Sequence, residues 1–412
     1  MLEIQTGRLW NELEQLAAYS DLPAPALSRV VFSEQDLRAR QYIQELCEEA
    51  GLRVRTDAVG NTFARWQGDD DAAPAVATGS HIDAIPNSGR FDGTVGVLGG
   101  LEAIRALQRS GFRPKRSLEL VIFTSEEPTR FGLGCLGSRL MAGVLDADCG
   151  TRLRDAEGET LDEVRARAGF TRPLDSVRRP RGSYFGFIEL HIEQGPILER
   201  EGIPIGVVTA IAAPASLRVS IEGEGGHAGA VLMPGRRDAL CAAAAIVLAV
   251  EHAARTSGSS DAVATVGLCH VFPGAVNSIP SRVLLEIDVR DTDHARRDAA
   301  LGTIVASCTE IGRERNVVAH VETINSDAPS ACDPVLVETL CAACNAQGLR
   351  FQRMVSRAYH DSLFMAQIAP SAMLFIPCRG GVSHRPDEYA EPDAIAQGAL
   401  VLAKALATLS QS

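Results

Sequence analysis

PAVATGSHIDAIPNSGRFDGTVGVLGGLEAI (residues 74–104) and LELVIFTSEEP (residues 118–128) decide how this chain folds. Their apolar runs, 75–78 and 118–123, are short and do not alternate, so they read as strands buried on both faces of a parallel sheet. A helix over 93–108 connects them. Each strand ends in residues that an ordinary loop does not need. His81 and Asp83 follow the first, Glu126 and Glu127 follow the second, and Asp92 sits just ahead of the helix. Open α/β sheets collect their chemistry at the carboxyl ends of strands. An imidazole and several carboxylates gathered there repel one another unless a cation neutralises them. One divalent metal ion, or two, is the simplest such cation.

The rest of the chain sets limits on partners and compartment. With 412 residues, 46% of them hydrophobic, it can build two domains and a large core. A net charge of −12 argues against nucleic acid or an anionic membrane as partner, since both demand a basic face. No apolar run is long enough to span a bilayer, and residues 1–18 lack a basic-then-apolar leader, which predicts a soluble, cytoplasmic protein. The ten cysteines show no disulfide spacing. Cys341 and Cys344 form a CxxC inside a helical pattern, where burial is the simpler use.

Helices are expected over 4–18 and 34–49, the second capped by Ser33, and a hairpin over 53–66 turns at Val59-Gly60-Asn61. Residues 150–183, polar and rich in arginine and glycine, read as a surface excursion with one short helix. An apolar strand over 184–191 ends in His191-Ile192-Glu193-Gln194-Gly195. After Ala213-Pro214 the texture changes to one-sided strands (217–222, 262–271, 282–290, 317–323) and helices over 238–254 and 293–313. That is an α+β layer of domain size. Buried-sheet character then resumes with a helix from Asp333, a strand over 372–377 and a closing helix from Asp393. The expected division is therefore 1–213 with 328–412, interrupted by an inserted domain over 214–327. His384 follows the last strand. His252, His270, His294 and His320 carry no such context and read as ordinary residues.

These pieces carry a resemblance. GSHIDAIPNSGRFDG, TSEEPTRFG, ELHIEQGPILE, GGHAGAVLMPGRRDA, GAVNSIPSRVLLEIDVR and GVSHRPDEY resemble, in order, the blocks of the co-catalytic metallopeptidase family M20. They are most similar to its ureido-amidase branch, which holds N-carbamoyl-L-amino acid hydrolases, allantoate amidohydrolases and ureidoglycolate amidohydrolases. The resemblance implies an α/β, mixed-sheet catalytic domain with an inserted α+β lid and dimerisation domain. It implies two divalent ions, manganese first and zinc, cobalt or nickel as alternatives. Asp92 would bridge them, His81 and His191 would complete one site, and Glu127 and His384 the other. Asp83 is expected to fix the tautomer of His81 through its carboxylate. Glu126 would be the general base and His227, in the inserted domain, the donor to the oxyanion.

In this branch the residues matching Asn277 and Arg290 bind a substrate carboxylate, a task suited to a guanidinium fork, and Gln194 is the expected third polar contact. Ala230-Val231-Leu232-Met233-Pro234 after His227, Tyr359-His360 before Asp361, and Phe375-Ile376-Pro377-Cys378 resemble the plant-type ureidoglycolate enzymes. Tyr359, where relatives tend to have glycine, would narrow the pocket and favour a small, polar ureido acid, with His360 beside it. The implied partners are a ureido-carboxylate substrate and a second copy of the chain. Within the same chemistry, N-carbamoyl-L-amino acids or allantoate are the alternatives. A peptidase usually has a carboxylate where His191 stands. A catalytically inactive binding homologue would be expected to have lost Glu126 or a ligand.

Overall fold

The computed structural model describes residues 2–412. The chain divides into two compact units: Met1–Thr209, Cys332–Ser356 and His360–Ser412 form the larger, and Ala210–Ala331 with Arg357–Tyr359 the smaller.

A mixed sheet runs through the larger unit. Leu118–Phe123, Ala75–His81, Tyr184–Ile192 and Ser371–Ile376 lie side by side, and each neighbouring pair is parallel. Antiparallel strands flank them. Thr62–Trp66 with Arg53–Thr56 lies on one side and Ile205–Ile211 on the other, the last also paired with Phe351–Ser356. Three of these parallel strands are buried along their whole length, and Tyr184–Ile192 is buried at every residue but Phe185, as both covered faces require. Helix Thr94–Arg109 connects the first two of them. It packs against Pro392–Ser410, which also covers the sheet. Pro392–Ser410 is long and apolar enough to cross a membrane, but Ile395, Ala399, Leu402 and Leu406 are buried in the core.

Three segments depart from expectation. Residues 150–183 are part of the core: Leu161, Val164, Leu174 and Val177 are buried with Phe63 and Phe123. Arg165 fixes the segment by donating to the carbonyls of Ala58, Phe170 and Arg172. The four apolar anchors are spread thinly among arginines and glycines, which hides their common face. Ile205–Ile211 and Phe351–Ser356 are strands, although neither shows a clear period of its own.

The smaller unit holds a four-stranded antiparallel sheet, ordered Val263–Phe272, Arg282–Asp291, Ala213–Glu222, Val318–Ser326. Alternation puts Leu217, Val219, Ile221, Val283, Leu285, Ile287 and Val289 into one core with helices Ala239–Arg255 and His294–Glu314. The opposite face is polar, with Arg218 paired to Glu286 at 2.7 Å and Glu322 at 3.6 Å. All ten cysteines of the chain are free.

Candidate metal centre

Each of the four parallel strands delivers a functional side chain at or just past its carboxyl end. His81 closes Ala75–His81, His191 lies one residue before the end of Tyr184–Ile192, Glu126 and Glu127 follow Leu118–Phe123, and His384 follows Ser371–Ile376. On a regular strand Glu126 and Glu127 would face opposite ways. Ser125, at φ +57°, bends the chain so that both can serve one site.

Asp92, just ahead of helix Thr94–Arg109, lies at the centre. Its Oδ1 is 3.4 Å from His81 Nε2 and 3.2 Å from His191 Nε2, and its Oδ2 is 3.4 Å from His384 Nε2. His384 Nε2 is in turn 3.1 Å from Glu127 Oε1. Two donor groups result, His81–Asp92–His191 and Asp92–Glu127–His384, each with ligand atoms within 4.8 Å of one another. They share Asp92. Glu126 Oε2 is 3.8 Å from His81 Nε2. At Gly93, a Cβ would sit 2.5 Å from His81 Nε2, and φ is +67°, so glycine is required on both counts.

Asp83 acts differently from expectation. His81 Nδ1 bonds the Asp83 main-chain carbonyl at 3.0 Å, while the carboxylate is 3.8 Å away. Oδ1 and Oδ2 instead accept from the amides of Glu126 at 3.2 Å and Glu127 at 3.0 Å. The carboxylate thus fixes the backbone of the glutamate pair, and the carbonyl leaves His81 Nε2 directed at Asp92. His191 is oriented the same way, its Nδ1 being 2.9 Å from the Ile192 carbonyl.

Several supporting groups escaped the sequence reasoning. Glu388 accepts from the amides of Phe91 (2.7 Å) and Asp92 (3.1 Å), and Ser383 Oγ lies 2.6 Å from Asp92 Oδ2 and 2.9 Å from Glu388 Oε2. Glu189, fully buried beside His191, accepts from Ser80 Oγ at 2.7 Å and Ser362 Oγ at 2.6 Å. A charged residue in the apolar strand YFGFIELHI was the available signal. Glu388 lies inside the GVSHRPDEY block, where only its burial marks it out.

Electrostatics identify what the cluster needs. Burial alone would hold His81 neutral, but Glu126, Asp92 and Asp83 raise it well above the usual imidazole value. Hydrogen bonds to Asp92 and Glu127 lift His384 to about 11. Burial opposes ionisation of Asp92, yet the surrounding histidines hold it well below the usual carboxylate range. Glu126 is pushed well up, by burial first and then by Glu127, Asp361 and Asp92 against the pull of His81. The site favours positive charge at His81, His191 and His384. Imidazole and carboxylate donors around one shared carboxylate suit a pair of borderline dications, so the residues present fit such ions.

The remaining candidates divide between the units. Gln194, at φ +56°, donates from Nε2 to Asp92 Oδ2 at 2.6 Å, which leaves Oε1 as a buried acceptor without a partner among the described residues. His360 is buried, with Nε2 3.1 Å from Ser356 Oγ and its ring centroid 4.5 Å from that of His191. In the smaller unit, His227 pairs with Ser278 in a two-stranded ladder, and the next amide, Ala228, donates to the Asn277 carbonyl at 2.9 Å. Gly229 N–H donates to His227 Nδ1 at 3.2 Å, which leaves Nε2–H as the free donor. Arg290 was expected to offer its fork to a substrate; here Nε and Nη2 grip Asp288 at 2.7 and 3.2 Å, and the guanidinium lies 5.8 Å from the Tyr359 ring centroid.

The family model for peptidase family M20/M25/M40 matches residues 77–408. The chain belongs to that family. It is a hydrolase, as its M20 relatives are. It is 52% identical to a ureidoglycolate hydrolase of Arabidopsis thaliana, over 99% of this chain and 87% of that one. It is 38% identical to an N-carbamoyl-L-amino acid amidohydrolase of Geobacillus stearothermophilus, over 99% of each. The crystal structure of AtUAH in complex with (S)-hydroxyglycine superposes with a TM-score of 0.93 at 51% identity, covering 100% of this chain and 99% of that one, and the complex with glyoxylate matches equally.

Proposed function

We propose that this M20 hydrolase cleaves the ureido C–N bond of ureidoglycolate. The observation that carries the proposal is a pair of metal-ligand groups sharing Asp92 beside Glu126, in a chain 52% identical to a ureidoglycolate hydrolase. His81, Asp92 and His191 would hold one dication, and Asp92, Glu127 and His384 the other, with manganese as the first choice. Bound there, the two ions would polarise the ureido carbonyl and acidify the attacking water. Glu126 takes the proton from that water and returns one to the leaving nitrogen, a double duty for which a raised pKa is suited. His227 Nε2–H donates to the oxyanion. Asn277 and Arg290 bind the substrate carboxylate, which requires Arg290 to exchange part of its Asp288 contact for the ligand. Gln194 Oε1, left as an acceptor, takes a substrate N–H or O–H.

Cleavage yields hydroxyglycine and carbamate, which collapse to glyoxylate, ammonia and carbon dioxide. The hydroxyglycine and glyoxylate complexes of AtUAH support that sequence of products. We also assign the smaller unit as a lid and the seam of a homodimer. Helix Ala239–Arg255 exposes Leu248 at 66%, and the edge strand Val263–Phe272 exposes Phe272 at 55%. Cytoplasmic action completes the proposal. The test is glyoxylate and ammonia release by metal-stripped protein re-supplied with manganese, offered ureidoglycolate, allantoate or N-carbamoyl amino acids. Preferential turnover of a carbamoyl amino acid would replace ureidoglycolate as substrate.

A further inference from the structure

Cys135 is a buried side chain that the chemistry above leaves unused. Its Sγ lies 3.4 Å from Glu126 Oε1, and none of the residue reaches solvent. Three carbonyls in succession, Glu126, Ser125 and Thr124, accept from the amides of Cys135, Leu136 and Gly137 at 2.8, 2.9 and 2.9 Å. This ladder clamps the start of helix Leu136–Ala142 onto the segment that carries the general base. A Cβ at Gly137 would meet Asn61 Oδ1 at 2.0 Å, so the clamp is closely fitted. Cys135 itself is left-handed, with φ 55° and ψ 35°, a conformation that costs any residue with a Cβ. Glycine would hold that backbone with less strain, and glycine stands immediately before it. Glycine, however, has no donor to offer Glu126.

We propose that Cys135 is a positioning residue: its S–H donates to Glu126 Oε1 and holds the carboxylate so that Oε2, 3.8 Å from His81 Nε2, faces the metal cluster and the attacking water. The inference rests on Glu126 acting as the base and adds how its rotamer is set. A thiol is a weak donor. It fixes the carboxylate without stabilising the anion as an arginine or lysine would, and so preserves basicity. Burial, then the charges of Glu126 and Asp361, push the thiol well above its ordinary pKa, so the proton stays on sulfur.

The test uses the metal-loaded enzyme. Cys135→Ala and Cys135→Gly should lower kcat about five- to tenfold, the scale of one lost hydrogen bond, with KM and metal content unchanged. Cys135→Ser should keep kcat within about threefold of the parent by supplying a hydroxyl donor. A purely structural cysteine gives the opposite order. The glycine relieves the backbone and the buried serine hydroxyl is the harder to accommodate. A second readout is independent of turnover. The infrared difference between parent and Cys135→Ala isolates the S–H stretch, which should lie below that of an unbonded thiol and rise in Glu126→Gln. An unbonded frequency, or Ser and Ala variants equal in kcat, overturns the proposal. A parent inactive on ureidoglycolate would count against the substrate assignment alone, because the infrared band still decides Cys135.

Discussion

Glu126→Gln keeps the shape of the side chain and removes its basicity. It should lower kcat by about 10²–10⁴-fold, the usual reach of general acid–base catalysis, while elemental analysis still finds the parent's metal content, because the ligand groups do not include Glu126. Loss of metal together with activity would mean that Glu126 is itself a ligand. Tyr359 tests substrate choice. Tyr359→Gly should raise kcat/KM for bulky N-carbamoyl amino acids relative to ureidoglycolate, measured side by side; an unchanged ratio would make Tyr359 a packing residue that supports Arg290. At this scale much of the site could be read in advance. His81, Glu126, Glu127, His191 and His384 follow or end apolar strands and Asp92 precedes a helix, where their polarity is conspicuous. Ser383, Ser362 and Glu388 do not stand out, because a serine or glutamate in a loop has no signature until its partner arrives from far along the chain.

The elements explain why those side chains converge. Four parallel strands end at one edge, and the turn into helix Thr94–Arg109 delivers Asp92 to their midst. Gly93 is the tightest point of that turn. Gly93→Ala should displace the His81 ring, and manganese affinity measured by calorimetry should fall by at least about tenfold, the loss associated with disturbed ligand geometry, while far-ultraviolet circular dichroism stays that of the parent. The central strands were legible because burial on both faces leaves an unbroken apolar run. Ile205–Ile211 was not, since its partners Met373, Leu374 and Phe375 lie in a segment that sequence proximity cannot reveal. Phe351–Ser356, with its mixed burial, resembles a loop for the same reason. Residues 150–183 show a third failure: Arg165 looks like surface charge and is a buried tie between three carbonyls.

Charge balance at the metal centre reaches the stability of the whole molecule. His384, raised from 6.5 to about 11 by Asp92 and Glu127, stabilises the chelator-treated protein fully below pH 6.5. That contribution is lost as pH rises through about 11. The urea midpoint of stripped protein should therefore fall between about pH 7 and pH 10, and that of manganese-loaded protein should change less, because a dication takes the place of the proton. Metal uptake by stripped protein should release protons, detectable in a weakly buffered titration. For the proposed assembly, sedimentation of the parent should show a dimer, and Leu248→Asp on the exposed face of Ala239–Arg255 should give monomer; a parent that sediments as monomer would remove the seam, and a dimer that persists in the variant would move it elsewhere. The sheet also sets when the site can exist. Ser371–Ile376 lies between Tyr184–Ile192 and Ile205–Ile211, strands far away along the chain, and His384 arrives only with it. The donor set is therefore complete only when this long-range pairing closes.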